Sequence, residues 1–310
     1  MAKFRILSID GGGIRGIVSV VLLQRLSREA GLEGWLDDVQ LIAGTSTGGL
    51  IALALAAGKS LAEIRDMYVT KGADIFHRSV FRAIANMGSI LGAKYDIANL
   101  EKVIKPFLGE ATTLGNLKRV LIASFDLDSG PNYPGGRRWK PKLFHNFPGE
   151  DSDEKELAYK VGLYTSAAPT YFQPADGYVD GGVYASNPSM CALAQTQDTR
   201  IEGGGPRLDE IVLLSLGTGM SLEYIDKLHP DWGDAQWIEP LLSIMLDGVS
   251  GIADFECGQL LRDRYLREAP IFPPGADVPM DAVDQIPFMI DFASSVDLTK
   301  AAAWLRAAWI

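Results

Sequence analysis

The chain has 310 residues, of which 47% are hydrophobic and 22% are charged, and its formal net charge is -10 at pH 7. This composition is typical of a globular protein that is long enough to bury a sizeable core. The acidic balance argues against nucleic-acid binding and against tight nonspecific attraction to anionic membranes, because both depend on clustered lysine and arginine. It does not argue against a neutral lipid as a ligand.

The cysteines and the hydropathy of the chain predict neither a disulfide framework nor a membrane span. Cys191 and Cys257 are the two cysteines, and without a C-x-x-C spacing they give little support to a metal or redox site. Residues 1–5 lead directly into a strand pattern, without the apolar region of a signal peptide. No stretch reaches the roughly 18 consecutive apolar residues of a membrane span. We therefore expect a cytoplasmic protein whose membrane contact, if any, is peripheral and transient.

The first predicted strand, Phe4–Ile9, leads into the glycine-rich loop 10–16 (DGGGIRG) and a helix to Leu26. The loop matches the dinucleotide-binding fingerprint G-x-G-x-x-G. A Rossmann site also needs an acidic residue near the C-terminal end of the second strand, whereas Asp37 and Asp38 lie at the beginning of that strand. Dinucleotide binding is therefore the less favoured interpretation of these glycines.

The second predicted strand, Val39–Ala43, meets the turn Gly44-Thr45-Ser46-Thr47-Gly48 and then a helix, Gly49–Ala57. This is the strand, turn and helix context of the nucleophile elbow G-x-S-x-G. In that motif, small residues beside the serine let the backbone bend enough to expose its hydroxyl. Ser46 is therefore the candidate nucleophile.

The topology of the first two strands suggests a use for the glycine-rich loop. A right-handed crossover would make the strands parallel neighbours, with their C-terminal loops side by side. The backbone amides of Gly11, Gly12 and Gly13, together with Arg15 and a helix N-terminus, would then lie beside Ser46. Such a row of donors can hold the negative charge that develops on a carbonyl oxygen under attack. We predict that one loop supplies the nucleophile and the other the oxyanion hole.

Helices predicted at 61–71 and 97–108 flank an apolar stripe. The stripe recurs every three or four residues, has glycines at 88 and 92 as breaks, and consists of Phe76, Val80, Ile84, Met87 and Leu91. Packing on the protein's own core is the favoured interpretation. The alternative is a mobile cover over an apolar substrate channel.

The remaining predicted elements continue the alternation of strands and helices. Strands are predicted at 119–125, 142–146 and 210–216. One helix is predicted to end at Tyr164 and one to run from Asn187 to about Gln197, and further helices are predicted at 237–246, 254–267 and 298–309. We expect a first domain over residues 1–222 and a mainly helical extension over residues 223–310 that packs on it. The extension could cap the core, pair with a second subunit or face lipid.

Asp180 ends a short predicted strand and precedes two glycines, which alone would indicate only a turn. It belongs, however, to a set of motifs that occur in a fixed order along the chain. The set comprises Gly11-Gly12-Gly13-Ile14-Arg15-Gly16, Gly44-Thr45-Ser46-Thr47-Gly48, Ala167-Ala168-Pro169-Thr170-Tyr171-Phe172, Asp180-Gly181-Gly182 and Asn187-Pro188. Through these motifs the chain resembles the patatin-like phospholipase family over roughly residues 4–220.

The resemblance implies an α/β fold of three layers, α/β/α, with a mostly parallel central sheet and residues 1–222 as the catalytic domain. It implies that Ser46 and Asp180 form a catalytic dyad and that Gly11 to Arg15 form the oxyanion-hole loop. The supporting glycines would be Gly16, Gly44, Gly48, Gly181 and Gly182. The implied substrates are phospholipids, lysophospholipids or acylglycerols, cleaved without a metal ion or other cofactor.

The predicted reaction is an acyl transfer from the substrate to serine and then to water. Asp180 would take the proton of Ser46, whose oxygen attacks an ester carbonyl, and water would release the fatty acid from the acyl-serine. One alternative is an α/β-hydrolase with a Ser-Asp-His triad, for which His229 is the one histidine after Asp180, although no strand pattern precedes it. The other alternative is a catalytically silent protein that binds a lipid or a nucleotide.

Overall fold

The structure, a computed structural model, describes residues 3–78, 92–222 and 233–310. Within these ranges the chain forms a sheet of seven strands. In chain order they are β1 (Phe4–Ile9), β2 (Leu41–Thr45), β3 (Val120–Asp126), β4 (Lys140–His145), β5 (Tyr178–Asp180), β6 (Ile211–Leu216) and β7 (Tyr265–Glu268). The first six follow strands that the sequence predicts, and β7 does not.

The sheet is mostly parallel. Its spatial order is β4-β3-β2-β1-β6-β7, and β5 pairs with β3 in addition. β1 is parallel to β2 and β6, β2 to β3, and β6 to β7, whereas β4 and β5 are antiparallel to β3. Strands that are covered on both faces need nearly continuous apolar runs, as in β6, every residue of which is buried. The predicted parallel pairing of the first two strands is confirmed, and it brings their C-terminal loops together.

Helices cover both faces of the sheet. In the described part of the chain they are α1 (Gly16–Leu26), α2 (Thr47–Ala56), α3 (Leu61–Ile75), α4 (Ile97–Leu108), α5 (Ala158–Ser166), α6 (Gly182–Ala185), α7 (Ser189–Thr196), α8 (Asp234–Leu261), α9 (Ile286–Ser295) and α10 (Thr299–Trp304). On one face, Leu7 and Ile9 share a large core with α1, α2, α5 and α9. On the other face, Ile6 shares a smaller core with α7 and α8. The predicted three-layer α/β/α architecture is confirmed.

Local signals set the helix boundaries where the chain leaves the sheet. α3 begins at a capping box, in which the Ser60 hydroxyl accepts from the Glu63 amide and the Glu63 carboxylate accepts from the Ser60 amide. α4 begins after Asp96, whose carboxylate accepts from the Ala98 amide. It ends at Leu108, as predicted, and Gly109 is its C-cap. These caps fix where α3 and α4 start and end beside the sheet.

The prediction of a continuous helix over residues 254–267 is wrong. α8 ends at Leu261, and after a short turn the chain enters β7, which pairs in parallel with Leu213–Leu216. Only Leu266 of β7 is fully buried, so this edge strand lacks the apolar run that marks the other strands. The pairing with β6 determines the extended conformation of β7, and no local sequence pattern indicates that conformation. The domain boundary at residue 222 stays a prediction, while β7 extends the sheet of the N-terminal part.

Most of the predicted apolar stripe lies outside the residues that the structure describes. Val80, Ile84, Met87 and Leu91 of the predicted stripe lie outside the described residues. Among the described helices, none combines the length and apolarity needed to cross a membrane. Both cysteines carry free thiols, with Cys257 buried and Cys191 partly buried.

Candidate active site

The turn at Ser46 requires the two glycines that flank it. β2 ends at Thr45 and α2 begins at Thr47, so the backbone reverses at Ser46 itself. A Cβ atom at Gly44 would lie within 3.0 Å of the Gly48 carbonyl, closer than real Cβ atoms approach. A Cβ atom at Gly48 would collide in the same way with the carbonyl of the last residue of β1. The G-x-S-x-G pattern is therefore a steric requirement of this turn.

The backbone of Ser46 is strained and is held by a neighbouring threonine. Its φ of 54° and ψ of -126° lie in a region that residues with a side chain seldom adopt. The Ser46 amide donates to Thr165 Oγ1 at 2.8 Å, and the Thr165 hydroxyl donates to the Ala123 carbonyl at 2.6 Å. Thr165 thus ties the turn to β3 and satisfies a buried amide that the turn would otherwise leave without an acceptor.

Strand β3 brings Asp180 next to Ser46. One edge of β3 is paired with β4, and the other edge is shared by β2 and β5. In this register Thr45 lies opposite Ala123 and Asp180 lies opposite Ser124. The residue after Thr45 therefore meets the last residue of β5 end to end. As a result, the Ser46 side chain lies beside the Asp180 carboxyl and lowers its pKa.

The Asp180 carboxyl lies in a buried environment that makes it a stronger base than an exposed aspartate. Its Oδ1 accepts from the Gly182 amide at 2.7 Å. Burial raises the pKa of Asp180 to about 7, and the hydrogen bonds from Ser46 and Gly182 act against that rise. Gly181 leaves no room for a side chain, because a Cβ atom there would lie within 3.0 Å of the Ala123 carbonyl. The carboxyl therefore titrates near neutral pH beside the serine hydroxyl.

The glycine loop after β1 lies directly against Ser46. A Cβ atom at Gly11 would be 3.4 Å from the Cβ of Ser46. Gly12 and Gly13 have φ values of 152° and 60°, which favour glycine. Among the described residues, none accepts a hydrogen bond from the amide of Gly12 or Gly13. These two amides are therefore available as donors to a bound oxygen.

Two members of the predicted oxyanion-hole loop have other partners. The Gly11 amide donates to the Ser186 carbonyl at 2.9 Å, so in this structure it is not available to a substrate oxygen, contrary to the prediction. The Nε of Arg15 donates to the Gly12 carbonyl at 3.3 Å, and its charge also acts on Asp247 of α8. Arg15 therefore stabilises the turn through the Gly12 carbonyl. The remaining candidate donors to an oxyanion are the amides of Gly12 and Gly13.

Gly16 lets the beginning of α1 approach the elbow helix α2. A Cβ atom at this position would lie within 3.0 Å of the hydroxyl oxygens of Thr47 and Tyr68, which hydrogen-bond each other. A side chain at residue 16 would push the glycine loop away from Ser46. Gly16 thus has a packing role in the site.

A cavity adjoins Ser46. None of its lining residues in the described ranges carries a charge, and its apolar lining includes Leu50, Met67, Ile75, Phe76, Leu100 and Phe172. Phe76, the first residue of the predicted stripe, also makes an edge contact with the Tyr95 ring at 5.3 Å between centroids. Ser46 therefore lies at the wall of an apolar cavity.

The histidines that the structure describes lie away from Ser46. His145 is buried on β4, where its Nε2 lies 3.5 Å from Asp151, and neither His145 nor His77 lines the cavity. His229, the histidine of the alternative triad, lies outside the described residues. The base that contacts Ser46 in the described part of the chain is Asp180.

Sequence reasoning selected Ser46, Asp180 and the glycines, but it missed the residues that hold them. Thr165 is 119 positions from Ser46 along the chain. Ser186, which follows α6 and whose carbonyl accepts from the Gly11 amide, is likewise far in sequence from Gly11. No spacing rule connects residues so far apart. The run of small residues after Thr165 was the one local signal, since small side chains permit close packing of backbones.

The chain is similar in sequence to proteins of a known family. A family model described as patatin-like phospholipase matches residues 7–193, which include Ser46 and Asp180. The chain is 30% identical to Protein teg of Priestia megaterium, over 100% of both chains. It is 35% identical to a cGAMP-activated phospholipase of Vibrio cholerae, over 70% of this chain and 64% of that protein. It is 31% identical to patatin-like protein 2 of Arabidopsis thaliana, over 83% of this chain and 72% of that protein.

We expect Thr165→Ala to destabilise the fold and to slow reaction at Ser46. The substitution leaves the Ser46 amide buried without an acceptor, which costs about 1–3 kcal/mol. Thr165→Ser keeps the hydroxyl and should remain close to the wild type. Melting temperature and the rate at which an organophosphonate labels Ser46 measure the two effects. Identical behaviour of the alanine and serine variants would contradict the role of this hydroxyl.

Proposed function

The chain belongs to the patatin-like phospholipase family, and we propose that it is a lipid hydrolase that cleaves fatty-acyl esters by a Ser46–Asp180 dyad. The observation that carries the proposal is that Ser46, at the wall of an apolar cavity, lies beside the buried Asp180 carboxyl. The proposed substrates are phospholipids, lysophospholipids or acylglycerols. A relative named as a phospholipase supports this substrate class.

The proposed reaction has two steps that use the same carboxylate. In the first step, Asp180 accepts the proton of Ser46 while the serine oxygen bonds to the ester carbonyl carbon. The tetrahedral intermediate then collapses, the bond to the alcohol oxygen breaks, and protonated Asp180 returns the proton to that oxygen. In the second step, a water molecule gives a proton to Asp180 while its oxygen bonds to the acyl carbon. The bond to the Ser46 oxygen then breaks, Asp180 returns the proton to that oxygen, and the fatty acid leaves.

The amides of Gly12 and Gly13 are the proposed oxyanion donors. They lie in the loop beside Ser46, and Gly13 lines the same cavity as Ser46. Donors of this kind act on the charge that develops in the transition state, and loss of one typically lowers the rate by about 10² to 10³. The proposal therefore assigns the glycine loop an effect nearly as large as that of the dyad.

The cavity supports an acyl chain as the group that binds beside the serine. Burial of apolar surface is worth roughly 25 cal/mol per Å², so a hydrocarbon chain gains affinity from an apolar wall. The absence of charged side chains from the described lining fits a fatty-acyl chain better than a nucleotide phosphate. This observation favours an enzyme that acts on lipids over the nucleotide-binding alternative.

We expect Ser46→Ala and Asp180→Asn each to abolish hydrolysis of a short-chain chromogenic ester, because one removes the nucleophile and the other the base. An organophosphonate should label Ser46 and should not label Ser166, which lines the same cavity. Asp176→Asn is the matched control, since Asp176 pairs with Lys160 on the surface and should keep full activity. Substantial hydrolysis by folded Ser46→Ala would exclude the proposed nucleophile.

The pH dependence of activity should report the ionisation of Asp180. Because burial raises the pKa of this carboxyl to about 7, kcat/KM should rise with pH and level off above about pH 7. An ordinary aspartate would already be fully active near pH 5. A flat profile between pH 5 and 8 would contradict the assignment of Asp180 as the base.

Stability should depend on pH in the opposite direction. The folded-state pKa of Asp180 is about 7 and lies above the ordinary value of 3.8, so the folded protein retains a proton that the unfolded chain releases between these values. The stabilisation from this group is present at low pH and is lost as the pH rises to about 7. The Asp180→Asn variant has no carboxyl at this position to ionise. Its melting temperature should therefore rise relative to that of the wild type between pH 5 and pH 8.

Replacement of His229 separates the dyad from a Ser-Asp-His triad. If Asp180 is the base, His229→Gln should keep turnover within about tenfold, whereas loss of a triad histidine lowers kcat by several orders of magnitude. The measurement is steady-state hydrolysis of a soluble ester, with circular dichroism to confirm folding. A collapse of activity in the folded variant would favour the triad.

A further inference from the structure

A buried ion pair lies at the base of the glycine loop. Asp10 directly follows β1, and its carboxylate accepts two hydrogen bonds from Arg267 of β7, Nη1 to Oδ1 at 3.2 Å and Nη2 to Oδ2 at 2.6 Å. The arginine reaches across β6, where the same Nη1 donates to the Ser215 hydroxyl at 2.8 Å. The two charged side chains are only 7% and 16% exposed. The ion pair thereby joins β7, the edge strand of the sheet, to Asp10, the residue before Gly11.

Further anchors hold the loop on both sides of its two available amides. The Thr218 hydroxyl donates to the Gly11 carbonyl at 2.7 Å. The Ile14 amide donates to the Met280 carbonyl at 2.8 Å. The two glycines between these anchors pack closely against their neighbours, because an added Cβ atom would collide with Thr218 at Gly12 and with Met280 at Gly13. The direction of both amides therefore follows from where the flanking residues are fixed.

Stability alone is a weak reason for a buried ion pair in this place. Desolvation of both charges offsets most of their attraction, so apolar side chains of similar size often stabilise a core as well. A guanidinium and a carboxylate instead fix their relative orientation through two parallel hydrogen bonds. Burial raises the pKa of Asp10, and the charge and hydrogen bonds of Arg267 act against that rise. Arg267 thus helps to keep Asp10 as an acceptor in one fixed orientation.

We propose that Arg267 is a positioning residue, which holds Asp10 and thereby aims the amides of Gly12 and Gly13 at the oxygen of the reacting carbonyl. The inference rests on the proposed function. Arg267 lies beyond residues 7–193, the part of the chain that the family model matches. The C-terminal part of the chain would therefore complete a site whose reacting groups all come from the N-terminal part.

The test compares Arg267→Met and Arg267→Lys with the wild type on a soluble short-chain ester. An oxyanion contact acts mainly in the transition state, so kcat of Arg267→Met should fall about 10²-fold while KM stays within about threefold. Arg267→Lys keeps the charge but loses the paired hydrogen bonds, and its kcat should lie between the two. The rate of organophosphonate labelling at Ser46 should fall with kcat, because that reaction also develops negative charge on an oxygen.

A double variant separates positioning from stability. Arg267→Met alone leaves the Asp10 charge buried without a partner, which should lower the melting temperature. Asp10→Asn combined with Arg267→Met removes that charge, so we expect the melting temperature to recover while kcat stays low. Thr218→Val tests the same loop without removing a charge, and it should lower kcat with KM unchanged. These two variants keep the test decisive if Arg267→Met does not fold.

Arg264→Met is the matched control. Arg264 precedes β7 and donates to the Ile211 carbonyl at 2.9 Å, at the end of β6 away from the glycine loop. Its loss should lower the melting temperature and leave kcat unchanged. An unchanged kcat in folded Arg267→Met, or a kcat that recovers with the melting temperature in the double variant, would overturn the inference. No ester hydrolysis by the wild type would overturn the proposed function and this inference with it.

Discussion

The edge of β3 is the constraint on which the candidate site depends. β4 covers one edge of this strand, so β2 and β5 must share the other, and the pairing registers place Thr45 and Asp180 opposite consecutive residues, Ala123 and Ser124. The serine turn and the aspartate strand thus meet end to end. Two groups that are far apart in the chain become neighbours because both of their strands pair with the same edge of β3.

This arrangement places two unfavourable features beside each other. Ser46 has a backbone conformation that is costly for a residue with a side chain, and Asp180 is a carboxyl whose burial raises its pKa. Both persist because the surrounding backbone leaves little alternative, with Thr165 holding the Ser46 amide and the Gly182 amide holding the carboxylate. The same burial that destabilises an ionised aspartate makes it a base of useful strength near neutral pH.

The C-terminal part of the chain contributes to the site through the sheet. β7 pairs with β6, and from this edge Arg267 reaches Asp10, while the Met280 carbonyl meets the Ile14 amide on the other side of the glycine loop. The loop therefore does not depend only on its own glycines for its shape. A mainly helical extension, as the sequence predicts for residues 223–310, would not by itself suggest such contacts.

The sequence by itself determined the parts of the molecule that local physics specifies. Apolar runs marked most of the strands, caps marked helix boundaries, and the steric needs of a tight turn marked Gly44 and Gly48. The alternation of strands and helices and the position of Ser46 in a strand-to-helix turn could therefore be predicted from local patterns, while the three-layer α/β/α fold was implied by the family resemblance. The tertiary structure decided what depends on distant contacts. β7 lacks an apolar run and becomes a strand only by pairing with β6, and the Gly11 amide is taken by the Ser186 carbonyl. The tertiary structure also decided that Thr165 is the partner of Ser46 and Arg267 the partner of Asp10. Hydrogen bonds between residues so far apart in the chain produce no periodic pattern in the sequence.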